Sequence, residues 1–208
     1  MTPASTPQGL AAFEGRPSLH AAPAAVASLL GHGIPPALAE RMLAAPLLRA
    51  RLDAELRSRL GELPPELTPV QAHIAALDPA GLLRLTLRAG AAWHAAEIAK
   101  AYDGATVRAL VERIGPEFRG AALADLAAHP RPAAAVGAAA PSSPSLDGLP
   151  AAIARDGTAC MVAWCEAQPR AVGWRLLLRL RVNGKPGPEH GQLGPGIVER
   201  LAAPGLPT

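Results

Sequence analysis

Apolar residues recur at helical spacing along most of this 208-residue chain. Pro35-Pro36 opens a first helical stretch, ALAERMLAAPLLRARLDAELRSRL, which Pro46 breaks. In its second half Leu48, Leu52 and Leu56 form an i, i+4 stripe, and Gly61 supplies a stop. After the loop GELPPELTP, Val70, Ile74 and Leu77 mark a short helix. Asp78-Pro79 then reads as an N-cap followed by proline at the first helical position. The long helix behind it, AGLLRLTLRAGAAWHAAEIAKAY, is apolar almost all round, which predicts a central helix with neighbours on several faces. Asp103-Gly104 breaks it. Val107, Leu110, Val111 and Ile114 outline the next helix up to Gly115-Pro116, and Phe118 to Leu126 predicts another.

Residues 1–34, rich in Ala, Pro, Gly and Ser, read as a loosely ordered lead, and 129–148 as a flexible linker or long loop. Pro150 opens a further helix whose face carries Ile153, Gly157, Cys160, Met161 and Trp164, and Pro169 falls at its end. The period then changes. In WRLLLRLRV, Trp174, Leu176, Leu178, Leu180 and Val182 alternate with Arg175, Leu177, Arg179 and Arg181. That alternation predicts a short extended or β segment near residues 174–182, with one apolar and one basic face. Residues 183–208 read as a breaker-rich Gly/Pro tail in which IVERLAA is left open between helix and coil. The expectation is a mainly α, single compact helical domain over 35–182, between the lead and the tail.

Composition adjusts this picture in two ways. Alanine is about a fifth of the chain and aromatics are few, so the helices are expected to pack closely around a core with little ring burial. The formal charge is only +3, with arginine far outnumbering lysine, which is a mild basic bias and not a nucleic-acid-binding tail. Cys160 and Cys165 have neither redox nor zinc spacing and are expected to be buried reduced thiols. With no Sec-type leader and no apolar run long enough to span a bilayer, a soluble, cytoplasmic protein is expected.

The search for chemistry finds no catalytic, cofactor or metal set. There is no G-x-S-x-G turn, and Gly184-Lys185-Pro186 lacks the upstream glycine and the hydroxyl residue of a phosphate loop. His94 and Glu97 stand three apart on the long helix, where a polar contact on its surface is expected. A metal site there would need a matching pair elsewhere. These readings predict a protein that is not an enzyme and uses no cofactor.

Three blocks resemble a known family: LLRLTLRAGAAWHAAEIAKAYDGATVRALVERIGPE, the linker after it, and IARDGTACMVAWCEAQPRAVGWRLLLRL with Gly157, Trp164, Gln168-Pro169 and the closing Arg-Leu alternation. LLRARLDAEL is a weaker match. Together they resemble the cytosolic sorting-platform accessory protein of bacterial type III secretion systems, the YscK/SctK-type family. The resemblance implies a non-enzymatic adaptor, cytoplasmic and peripheral to the inner membrane through its partners. Those partners would be the cytoplasmic domain of the inner-membrane ring protein and the pod-forming, C-ring-like protein, with the ATPase–stator complex reached indirectly. Arg175, Arg179 and Arg181 are assigned to a partner-facing basic edge, and Trp93, Trp164, Trp174, Gln168 and Pro169 to anchoring positions. Reversing the three arginine charges is expected to weaken partner capture with helicity intact. The alternative is a nucleic-acid or anionic-membrane-surface binder using the same arginines.

Overall fold

The computed structural model describes residues 16–31, 33–101, 103–129, 147–180 and 186–203. Its described elements are helices, most of them opened by a proline in the first turn, where the missing N–H costs nothing. An N-terminal layer comprises α1 (Pro17–His20), α2 (Pro23–Leu30), α3 (Pro36–Ala44), a 3-10 turn (Pro46–Leu48) and α4 (Arg49–Leu60). Next come α5 (Pro69–Ala76), α6 (Pro79–Trp93), α7 (Ala95–Ala99), α8 (Gly104–Ile114) and α9 (Pro116–Ala128). The chain closes with α10 (Leu149–Ala167), α11 (Arg170–Arg179) and α12 (Pro188–Ala202).

Local sequence explains several boundaries. Thr68 and Gln71 form a reciprocal capping box at the start of α5. Asp78 caps α6 by accepting from the Gly81 N–H at 2.7 Å. Asp103 caps α8 by accepting from Ala105 and Thr106, and Gly115 ends it at φ +88°, a left-handed conformation that favours glycine. The long helix expected from Pro79 is interrupted at His94, a turn residue between α6 and α7.

The centre of the fold is the crossing of α6 and α10, and it is made by glycines. A Cβ on Gly90 would lie 1.9 Å from the Ile153 carbonyl oxygen, and one on Gly157 would lie 2.1 Å from that of Thr86. The two backbones touch, as only hydrogen side chains permit. Around this crossing, Leu82, Leu85, Met161, Trp164, Val172, Leu176, Ile197 and Val198 form the main core. A second cluster (Val26, Leu29, Leu52, Leu56, Leu60 and Leu178) holds the N-terminal layer. A third (Ile98, Leu110, Ile114, Ala122 and Ile153) holds α7–α9 against the crossing.

Three sequence expectations are corrected here. Within the supposed loose lead, Pro17–His20 and Pro23–Leu30 are helical, and the second helix buries Val26, Ala27 and Leu29. The Ser18 N–H donates to the buried Asp53 carboxylate of α4 at 2.8 Å, tying α1 to the layer. Within the supposed tail, α12 is a full core helix despite Pro195, burying Ile197, Val198 and Leu201. Gly194 sits so close to α10 that a Cβ there would come within 2.9 Å of the Cys160 Cα. Finally, residues 170–179 are helical, not extended. Residues 1–15, 130–146 and 181–185, which include Arg181 and Val182, lie outside the described residues.

Candidate functional site

The alternation in the Arg-Leu segment misleads because Arg175 and Arg179 are not on a solvated face. On α11, Val172 and Leu176 enter the main core, Leu178 and Trp174 enter the N-terminal cluster, and Arg175 and Arg179, one turn apart, share a third stripe. Arg175 is 2 % exposed. Its guanidinium donates to Gly61 O at 2.8 Å, Ala171 O at 2.7 Å and, more weakly, Leu60 O at 3.4 Å. Arg179 donates to Ala75 O at 3.0 Å and to Leu77 O. The two side chains thus satisfy the unpaired carbonyls at the C-terminal ends of α4 and α5, where a cation also meets the negative end of the helix dipole. Arg59 does the same for α2 through Leu29 O and Leu30 O. The partner-facing edge is therefore corrected: Arg175 is an internal cap, Arg179 a half-buried one, and Arg181 lies outside the described residues. Burial lowers the Arg179 pKa from its ordinary value, with the charge of Asp78 opposing. Phosphate binding through Arg175 and Arg179 loses its geometric basis.

The anchoring residues divide as their surroundings require. Trp164 is 1 % exposed in the main core, with its indole N–H unpaired. Trp174 is half-buried against the N-terminal cluster. Gln168 accepts from the Gln71 side chain at 2.8 Å and donates to Trp164 O, joining the end of α10 to the capping box of α5. Pro169 is exposed and serves as N-cap of α11. Trp93 stacks on His190 of α12 with ring centroids 4.3 Å apart.

That stack borders a polar cluster only partly legible in the sequence. His94 turns inward, and its Nε2 lies 2.8 Å from Asp156 Oδ2 on α10. Its ring partner is Asp156, not Glu97. Arg155 grips the same carboxylate through Nε and Nη2 at 2.9 and 2.8 Å. His190 Nε2 lies 3.6 Å from Asp156 Oδ1, near enough for charge but without a hydrogen bond. The missed signal was Asp156 itself, a carboxylate on an apolar helix face between Ile153 and Cys160, which demands a partner. Nothing local marks His190.

Burial works against the charge of Asp156, but the hydrogen bonds from His94 and Arg155 outweigh it and hold its carboxyl below the usual range. Burial also pushes the His190 imidazole down, with Asp156 and Glu189 opposing. Both folded values lie below their unfolded ones, so both groups contribute stability at neutral pH that is lost on acidification. Stability is expected to fall below about pH 6.5 through His190, and again below about pH 4 through Asp156. Urea unfolding at pH 7, 5 and 3 tests this. Asp156→Asn should start less stable at pH 7 and lose less below pH 4, and an unchanged acid slope would count against it.

The described surface also holds an apolar cleft of about 330 Å³. Pro79, Leu82, Leu83 and Thr86 of α6 form one wall, and Thr158 and Met161 of α10 another. Arg179 and Leu180 close the end. Leu83 stands at its lip, 60 % exposed. Arg179 is the one ionisable side chain among the described residues that line it, and its guanidinium is engaged by Ala75 O and Leu77 O, so the cleft suits apolar side chains. Among the described residues, no group of His, Cys, Asp and Glu side chains is arranged to hold a metal ion. Cys160 and Cys165 are buried and not joined in a disulfide, and burial raises the pKa of Cys165. No described helix is long and apolar enough to cross a membrane.

No protein-family model matches the chain, and no solved structure matches it. It is similar to the nodulation protein NolU of Rhizobium fredii, with 32 % identity over 123 residues, covering 58 % of this chain and 54 % of that protein. NolU of Sinorhizobium fredii (strain NBRC 101917 / NGR234) gives the same figures. The chain spans about half the length of the curated relatives it matches.

Proposed function

We propose that the protein is a non-enzymatic adaptor of a bacterial type III secretion system. It would link the cytoplasmic domain of the inner-membrane ring protein to the pod-forming, C-ring-like protein, and so support protein export. The observation that carries this reading is the apolar cleft. Its walls draw on two of the three blocks on which the family resemblance rests, with Leu82, Leu83 and Thr86 from the Leu-rich helix and Thr158, Met161, Arg179 and Leu180 from the Trp/Gln-Pro block. An open apolar cleft with an exposed leucine at its lip is the chemistry of a protein-docking site. The similarity to the nodulation protein NolU is compatible with this reading. Under this reading the protein is cytoplasmic and meets the membrane only through its partners.

Co-purification of the full chain with the pod-forming protein and with the ring protein's cytoplasmic domain, encoded in the same genome, is the direct test. Capture of at least one is expected, and capture of neither rejects the reading. Leu83→Glu should weaken capture by about tenfold or more, as expected for a charge introduced into an apolar docking site, with unchanged circular dichroism. Full capture by Leu83→Glu would move the docking site elsewhere.

A further inference from the structure

The N-terminal layer carries a second, separate apolar feature. The leucine stripe of α4 runs Leu60, Leu56, Leu52, all buried, and continues one turn further to Leu48, which is 44 % exposed. Beside it, at the apex of the 3-10 turn, Leu47 is 96 % exposed, and Leu38 on the adjoining α3 is 41 % exposed. Leaving three leucines in water on neighbouring elements is unfavourable and gains nothing for this fold. The charged side chains around them are mainly cationic. Arg41, Arg49 and Arg51 are all exposed, with Glu40 the acidic neighbour on α3.

We propose that Leu47, Leu48 and Leu38 form a docking knob for a partner protein that presents an apolar groove rimmed by acidic side chains. The shape of the feature and its charge select this occupant. An apex leucine is convex and needs a concave receiver, and the arginines around it favour carboxylates over any other rim. A second copy is disfavoured, because a two-fold contact would set Arg41, Arg49 and Arg51 against their own images. An anionic bilayer is disfavoured because one fully exposed leucine flanked by two partly exposed ones offers less apolar area than a single acyl chain, which itself binds membranes only marginally. The knob lies on elements of the N-terminal layer and the cleft beside the main core, so the two features can serve different partners.

The test places a photo-crosslinking phenylalanine derivative at Leu47 of the full chain, in the bacterium that carries the gene. The adduct is identified by mass spectrometry and its crosslinked peptide mapped. The expected result is an adduct with a different protein, at a site where apolar residues lie among Asp and Glu. Its yield should fall about tenfold when Arg49→Glu and Arg51→Glu are introduced together, since like-charge contacts across an interface are strongly disfavoured. Arg49→Gln with Arg51→Gln serves the same purpose if the double reversal disturbs folding. No adduct, an adduct of twice the chain mass, lipid attachment alone, or a protein adduct indifferent to the arginines would each overturn the proposal. A charge-sensitive adduct with a protein outside the secretion apparatus supports the knob while counting against the secretion reading.

Discussion

Gly157→Ala is expected to cost about 3 kcal/mol or more, enough to leave much of the protein unfolded. The added methyl would meet the Thr86 carbonyl oxygen at 2.1 Å and the Gly90 nitrogen at 2.9 Å. Both are backbone atoms of α6, so no side-chain rotation relieves the overlap and the two central helices must separate. Such separation loosens two of the three apolar clusters, because α6 and α10 contribute to the main core and Ile153 to the one around α7–α9. Gly120→Ala is the control. Gly120 is exposed within α9, and a Cβ there meets nothing within 4 Å. That substitution should be neutral or stabilise by roughly 0.5–1 kcal/mol through helix propensity. Urea midpoints for the two variants check both statements, and a Gly157→Ala protein as stable as wild type would refute the backbone contact.

Arg175→Met is expected to destabilise by about 3 kcal/mol, since truncating a buried, hydrogen-bonded charged group strands its partners. The methionine fills most of the volume, and removing the charge spares its desolvation, but Gly61 O, Leu60 O and Ala171 O lose their donor. Arg175→Lys should recover only part of the loss, because one ammonium cannot reproduce the planar fork that spans two helices. Arg170→Met, at an exposed position, should change stability by less than about 0.5 kcal/mol. The consequence for the charge-reversal experiment is direct. Reversal at Arg175 would damage the fold before it reported on any partner, so lost capture in that variant identifies no surface. Equal stability of Arg175→Met and Arg170→Met would show that the arginine is not a structural cap.

The internal arginines account for the principal misreading of the chain. A period of two in WRLLLRLRV suggests a strand only when arginine is assumed to face water. Once Arg175 and Arg179 are counted as interior residues, every face of α11 has work to do, and the helix is buried on several sides. Arg59, Arg175 and Arg179 each close the C-terminal end of another helix, so the chain's arginines serve as tertiary caps as well as surface charge. The same limit applies to His94. Spacing alone pairs it with Glu97, whereas the partner that binds it comes from 62 residues away.

The sequence by itself determined the mainly helical class, and the start of the Leu-rich helix at Asp78. It also determined the central placement of the Leu-rich helix and the buried role of Trp164. Each depends on local hydrogen bonding or on which side chains water rejects, and those are properties of a few neighbouring residues. Tertiary structure alone decided that Gly90 meets Gly157, that α12 belongs to the core, and that Asp156 gathers His94 and Arg155. It also decided that Arg175 points inward while Leu47 points out. Those outcomes depend on which distant carbonyl, carboxylate or helix end arrives beside a residue, and the spacing of residues along the chain does not contain that.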